Sequence, residues 1–422
     1  MKGLHVPSVG GTWRSVVLVL LAGIVLWRWW FLRTSGHWDF MTYYWAAKAQ
    51  GMGLDPYSLD ALSTVAGKRI VLPYLYPPAV LYFLRPFTWL SLDGAITVFI
   101  TLKVVALLGL LWLWRDFLGP RETLPLVVVV VLGFSDTVFN DLFAGNVSTF
   151  EALALWTGFG CLKRGRLLAF VALVLLASFA KLVPLGFLVL VLLSAHRRRV
   201  LIFGGALGLA LLSVLASFGG SWTRMIGYFK LVAAVDERGP TNSAFLSLFK
   251  DIEAWSQAKH HVPLLISPWP AYLALCVIIV GVTAFVVVRA ARRRPADRDA
   301  VVDSIIAAVI LYALLLPRFK DYSYVVALPA IVFVGRRIRN ALPLLILLAS
   351  LTPRNTLARY ALNDFPLADL VGRYFNLFLV AVLWLGFIFY AWYRGNASPA
   401  ALAEDLELHP TAGPPRAGSS GT

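Results

Sequence analysis

The sequence predicts an all-α polytopic membrane protein, and three observations predict it. Of its 422 residues, 59% are hydrophobic, with a mean hydropathy of +0.76, whereas a soluble globular chain is roughly 45–50% apolar. The apolar residues are gathered into runs of the length that crosses a bilayer, about 17–25 residues for a straight helix and fewer for a broken or re-entrant one. The charged residues, 14% of the chain, stand mostly between those runs.

The first run, 13–32, follows Met1–Trp13 without a small-residue cleavage site, so it reads as a span and not as a removed leader. Segment 33–93 interrupts the pattern. Within it, residues 40–50 suit a short helix on the membrane surface, with Tyr43, Tyr44 and Trp45 in the interface. Asp55-Pro56-Tyr57 reads as a turn. The stretch 76–90 holds Pro77-Pro78 and Arg85-Pro86 and suits an interfacial or re-entrant helix. Runs follow at 94–114, 122–138, 147–162, 167–180 and 183–195. The last two form a pair of short helices, because Pro184 lacks an N–H and stops or kinks a helix. Beyond them lie 200–218, 264–289, 300–316, 323–335, 341–352 and 372–393, making twelve membrane or half-membrane helices. Residues 1–396 read as one transmembrane domain. Residues 397–422, rich in Pro, Gly, Ala and Ser, read as a disordered tail.

The formal charge of +16 would suggest nucleic acid in a soluble chain. Here the positive charges flank hydrophobic runs, so they serve topology and lipid headgroups, and nucleic-acid binding is excluded. Basic residues cluster at Arg115/Arg121, 163–166, 197–199, 289–294 and 336–339. Placing all of them in the cytoplasm follows the positive-inside rule and requires 76–90 not to cross. Both termini are then cytoplasmic. The opposite, extracytoplasmic face receives 33–93, 139–146, the tip near Lys181, 219–263, 317–322 and 353–371. These segments hold most of the Asp, Asn, Lys, His, Tyr and Trp residues that are not simple basic anchors. Asp39, Asn146, Lys181 and Lys320 are thus expected on one side, with Arg197 and Arg293 on the other. Cys161 and Cys276 lie inside apolar runs and define neither a disulfide framework nor a metal site.

The residues alone leave two readings of Asp39, which follows the first span and precedes an aromatic run: a polar surface or capping residue, or a catalytic carboxylate. Asp55 reads as a cap. Lys181 sits at a helix break inside an apolar run, where a charge is costly unless paired; it either snorkels or binds an anion. Arg318 and Lys320 either anchor headgroups or bind the same anion. Asp321 either pairs with one of them or orients a substrate. Asp136 and Asp141 flank Asn140 and could hold a hard cation or cap helices. His260 and His261, adjacent in sequence, do not share a helix face and make a poor metal site.

The order of these motifs resembles glycosyltransferase family 87. The resemblance rests on Asp39 just after the first span, the aromatic-Ala-Ala helix Trp45-Ala46-Ala47, Gly53-Leu54-Asp55-Pro56-Tyr57, and Tyr76-Pro77-Pro78. It continues at Gly145-Asn146, at the basic turn Lys163-Arg164-Gly165-Arg166, and at Lys181-Leu182-Val183-Pro184, covering roughly residues 36–330. Each motif is weak alone; their order and spacing are more specific. Two positions depart. No Gln precedes Asn146, and Phe319-Lys320-Asp321-Tyr322 stands where the family often carries a Trp-acid-His-His pattern, so no histidine role is carried over there.

The resemblance implies a C-type glycosyltransferase fold and a metal-independent enzyme without cofactor. It implies a polyprenyl-phosphate sugar donor, mannose transfer first with arabinofuranose as the runner-up, and a glycan or glycolipid acceptor among membrane lipids. Under it, Asp136 and Asp141 read as helix caps. A polyprenyl phosphate is already a good leaving group, so the chemistry needs one general base, for which Asp39 is the candidate. It also needs cations on the phosphate: Lys181 first, then Arg318 and Lys320. Tyr43, Tyr44, Trp45, Asn146, Asp321 and Tyr322 are the candidate sugar or acceptor contacts. A transporter or flippase would also use broken helices and intramembrane charge, but no internal repeat is apparent and the first external segment is long. A subunit without chemistry is the third alternative.

Overall fold

The computed structural model describes residues 9–34, 36–193, 198–260, 267–293, 298–338, 341–351 and 366–396. The tail 397–422 and His261 lie outside the described residues, and nothing is described of the His260 side chain. Among the described residues every regular element is helical. They are α1 (Val9–Thr34), α2 (Trp38–Gly51), α3 (Leu59–Ala66), α4 (Ala79–Leu84), α5 (Leu92–Leu118), α6 (Thr123–Ala144), α7 (Ser148–Lys163), α8 (Leu167–Ala180) and α9 (Arg199–Ser217), then α10 (Trp222–Ala234), α11 (Phe245–His260), α12 (Pro268–Arg293), α13 (Arg298–Leu315), α14 (Leu328–Arg337), α15 (Ala341–Ser350), α16 (Pro366–Arg373) and α17 (Phe375–Asn396). Tighter 3₁₀ segments include Val183–Leu193 and Asp321–Ala327.

Among the described residues, six helices are long and apolar enough to cross a membrane: Arg14–Leu32, Leu92–Leu118, Pro120–Ala144, Arg199–Ser217, Pro268–Ala290 and Phe375–Arg394. Shorter apolar helices cover Leu167–Ala180, Val183–Leu192, Ala300–Leu315 and Ala341–Ser350. The expected run 323–335 is divided between the 3₁₀ turn at Asp321–Ala327 and α14, with Pro329 in the first turn of α14, the position where a missing N–H costs least. Local signals set many boundaries. Ser58 and Ser91 cap α3 and α5 by accepting from Ala61 N and Gly94 N. Gly67 and Gly145 end α3 and α6 in the left-handed conformation.

The larger core joins α5–α8 to α13–α17 around Trp114, Trp156, Phe159, Phe170, Phe187 and Tyr324. A second core gathers α2, α3, α4 and the first half of α5 around Phe40, Tyr43, Tyr44, Tyr74, Leu81 and Phe99. Helix α2 therefore differs from the surface helix expected at 40–50: Phe40, Tyr43 and Tyr44 are buried against protein. Its first turn is fixed by backbone contact. His37 is left-handed, donates its N–H to the Phe143 carbonyl at 2.6 Å and hydrogen-bonds the Leu32 carbonyl through Nε2.

Helices α6 and α7 are joined by the turn Gly145-Asn146-Val147, which meets α2. Their far ends lie beside basic residues: Glu122 pairs with Arg336, and Arg164 pairs with Asp116 at the end of α5. Helix α6 is broken at Gly133–Asp136, where Phe134, Ser135 and Asp136 take positive φ. Such backbone is costly and persists where surroundings over-determine it. Here Arg28 of α1 pairs with Asp136 and bonds the Val131 carbonyl, while Asn140 Nδ2 donates to the Ser135 carbonyl.

Gly145 joins this turn to α2. Its φ is +69°, and a Cβ there would lie 2.7 Å from Phe40 Cβ. Gly145→Ala is expected to cost about 1–3 kcal/mol through backbone strain and to push the start of α2 away. A thermal unfolding midpoint in detergent equal to that of the parent protein would contradict this.

Candidate active site

Asp39 lies in the first turn of α2, and the 3.6-residue helical period places Tyr43 one turn on, on the same face. Asn146 is completely buried in the α6–α7 turn. Its Nδ2 donates to Asp39 Oδ2 at 2.7 Å and lies 2.8 Å from Tyr43 Oη and 2.9 Å from Tyr76 Oη. Tyr43 Oη in turn donates to Tyr76 Oη at 2.8 Å. The other amide atom, Asn146 Oδ1, accepts from Ser148 N and Ser148 Oγ. An amide has one accepting and one donating end, so Ser148 orients Asn146 with its donor toward the carboxylate.

Ser148 also accepts from Lys181 Nζ at 2.9 Å. Lys181 forms an ion pair with Glu151 Oε2 at 2.9 Å, and Glu151 Oε1 accepts from Tyr312 Oη at 2.5 Å. The Tyr322 phenol lies near enough to Asp39 to feel its charge. The Tyr322 ring lies under two cations, with Lys181 Nζ 5.9 Å and Lys320 Nζ 5.7 Å from its centroid. Burial first, then the phenol of Tyr76 and the carboxylate of Asp39, push Tyr43 well above its ordinary pKa. Burial, then Asp39 and Tyr76, do the same to Tyr322. Both phenols therefore stay neutral and can donate. The site is a carboxylate held by one buried amide, beside a pair of ammonium groups that share the Tyr322 ring.

Lys320 and Arg318 flank this centre and already hold an anion. Glu237, between α10 and α11, receives Arg318 Nε at 3.0 Å and Nη2 at 2.7 Å on Oε2, with Lys320 Nζ 2.9 Å from Oε1. A single carboxylate thus collects a forked guanidinium and an ammonium, the donor set that suits a phosphate.

Several expected residues stand elsewhere. Tyr44 donates to the Leu90 carbonyl and Trp45 packs on Tyr44 and Lys48, so neither is brought to Asp39. The reason is helical rotation: roughly 100° per residue turns positions 44 and 45 away from the face of 39 and 43. Asp321 accepts from Ser243 Oγ and Asn376 Nδ2 and is buried there, while Arg318 and Lys320 pair with Glu237. Asp55 accepts from Tyr57 N in a turn, and Ser58 is the cap of α3. The capping reading of Asp136 and Asp141 is also corrected. Asp136 pairs with Arg28, and Asp141 pairs with Lys103 at 2.8 Å, both of the latter side chains being fully buried. Ion pairing wins because a carboxylate at that depth needs a full counter-charge. Among the described residues, no group of three or more His, Cys, Asp or Glu side chains is gathered as a metal would require.

The residues that sequence reasoning missed are Tyr76, Lys103, Ser148, Glu151 and Glu237. For Lys103 and Glu151 the signal was available: each is an ionisable residue inside an apolar run, which marks a functional or paired position. Tyr76 lay in the Tyr-Pro-Pro motif. Ser148 and Glu237 carried no such mark.

The sequence model of Glycosyltransferase family 87 matches residues 74–317, more than half of the chain. The protein belongs to glycosyltransferase family 87 and is a membrane glycosyltransferase. No match was found among curated proteins or among solved structures. The matched region includes Tyr76, Asn146, Ser148, Glu151 and Lys181; Asp39 precedes it and Arg318–Tyr322 follow it directly.

Proposed function

We propose that the protein is an inverting glycosyltransferase of C-type fold. It moves a sugar, mannose in the first instance, from a polyprenyl monophosphate to a hydroxyl of a glycan or glycolipid on the extracytoplasmic face. The observation that carries this reading is the single hydrogen-bonded run Asp39–Asn146–Ser148–Lys181. It ties a proton acceptor to a phosphate-binding cation at a separation set by folded backbone.

The acceptor oxygen forms a bond to the anomeric carbon as the carbon–oxygen bond to phosphate breaks. The electron pair leaves on the phosphate, and the acceptor proton passes to Asp39. Asn146 orients the carboxylate by donating to it. Lys181, with Lys320 and Arg318, neutralises the departing phosphate, and such preorganised charge is worth most where water is excluded. The phosphate would take the place that Glu237 holds on Arg318 and Lys320. Back-side attack inverts the anomeric centre, so a β-linked donor yields an α-linked product. No step requires a metal.

The test is a proteoliposome assay with radiolabelled polyprenyl phosphate mannose and a glycolipid extract. Label in a chloroform- or water-soluble glycan product, with release of polyprenyl phosphate, supports the proposal. Label transferred only from the arabinofuranosyl donor changes the sugar. Donor moved across the bilayer without bond cleavage makes the protein a transporter.

The orientation has its own test. The site and Arg164 lie at opposite ends of α7, whose 16 residues at about 1.5 Å per residue span most of a bilayer. Single cysteines at positions 55 and 164 are expected to react with an impermeant maleimide from opposite sides, position 55 from outside. Labelling of both from the same side would remove the topology and the external site together.

A further inference from the structure

Lys103 is the most deeply enclosed charge among the described residues that the reaction does not use. It stands in the middle of α5 with no exposed surface, and so does its partner Asp141. An ammonium has three hydrogens to donate. Lys103 Nζ lies 2.8 Å from Asp141 Oδ2, 2.5 Å from the Asp141 carbonyl and 2.7 Å from the Asn146 carbonyl. All three hydrogens therefore have acceptors within the protein, and none is left for a substrate.

Two of those acceptors are main-chain oxygens on either side of the α6–α7 turn. The Asp141 carbonyl already receives the N–H groups of Gly145 and Asn146. The Asp141 carboxylate reaches across to the Thr149 hydroxyl in the first turn of α7. One ammonium on a neighbouring helix thus closes the turn from three directions. A buried ion pair is weak evidence for stability, since well-packed apolar residues of similar volume often do as well or better. The distinctive product of this arrangement is position: it pins the backbone of Asn146, whose side chain holds Asp39.

The geometry points to Lys103 as a positioning residue for catalysis, acting through Asn146 on Asp39. The inference rests on the proposed role of Asp39 as the base. Lys103 pulls the Asn146 carbonyl toward α5, which leaves the amide Nδ2 facing the carboxylate and Oδ1 facing Ser148.

The experiment compares Lys103→Met/Asp141→Leu, Asp141→Asn and Asn146→Ala in the reconstituted assay, each first checked for a monodisperse elution profile and a cooperative unfolding transition. Misplacing a reacting group by about 1 Å can cost roughly 10²-fold. The pair variant is accordingly expected to lose about 10–100-fold in kcat with donor KM within about twofold of the parent protein. Combined with Asn146→Ala, it should add little further loss, because both changes break the same link. Asp141→Asn keeps Lys103 on the two carbonyls and should retain kcat within about threefold even if its unfolding midpoint falls.

A folded pair variant with normal kcat overturns the inference, and so does full additivity with Asn146→Ala. Should the pair variant not fold, Asp141→Asn decides: a kcat loss beyond about tenfold there would make the charge pair, and not the grip on the turn, the operative feature. Asp39→Asn is run alongside. Loss of turnover in Asp39→Asn with normal kcat in the Lys103 variants rejects only the positioning role. Normal turnover in Asp39→Asn rejects the base on which it rests.

Discussion

Asp39→Asn is expected to lower turnover by roughly 10²–10⁴-fold, the loss that follows removal of a general base. The substitution preserves size and removes the capacity to take a proton. Asn146 Nδ2 would still meet an accepting oxygen at position 39, since an amide carbonyl accepts as a carboxylate does. The α2 contact with the α6–α7 turn therefore survives, and donor binding should change little because the carboxylate serves the acceptor. Asp55→Asn is the control. Asp55 accepts from Tyr57 N in an exposed turn, a role that Asn fills equally well. The readouts are initial rate in proteoliposomes and the unfolding midpoint of the same preparations. Near-normal turnover in a folded Asp39→Asn protein would remove Asp39 as the base. Glu237 would then be the next carboxylate to substitute, because Asp321 is turned onto Ser243 and Asn376.

Lys181→Ala is expected to weaken binding of the donor and of sugar-free polyprenyl phosphate. Truncating one partner of a buried hydrogen-bonded charge pair costs about 2–5 kcal/mol, or roughly 30- to several-thousand-fold in affinity. The single variant also strands Glu151, whose side chain is 5% exposed. Lys181→Ala/Glu151→Gln separates the two effects, since Gln still accepts from Tyr312 without leaving a bare charge. Loss of affinity in both variants assigns the effect to the phosphate. Normal affinity in the double variant would mean that Lys181 serves Glu151 alone.

These two residues show how unevenly the site could be read in advance. Asp39 and Lys181 stood out because each breaks a local pattern: one follows an apolar run, and the other interrupts one before a proline. Tyr43 shares the face of Asp39 by simple helical spacing, whereas Tyr44 and Trp45 had equal claim by residue type and are rotated onto Leu90 and Lys48. On a helix almost enclosed by α3, α4 and α5, nearly every face is apolar. Amphipathic pattern then carries no information about which aromatic reaches the site.

By itself, the sequence determined the helical class, most helix positions, the broken pair around Lys181 and the family, because each depends on residues close in the chain or on the order of short motifs. Apolar length, proline and glycine act within a turn or two of helix. Only the tertiary structure decided which charges meet. Lys103 finds Asp141 and Asn146 across separations of 38 and 43 residues, Asn146 finds Asp39 across 107, and Arg318 finds Glu237 across 81. Asp141 and Asp136, near neighbours that suggested one shared role, go to cations on different helices. The physical reason is that a buried charge must be matched where the packed helices bring a counter-charge, and helix packing is a property of faces that meet only after the chain has folded.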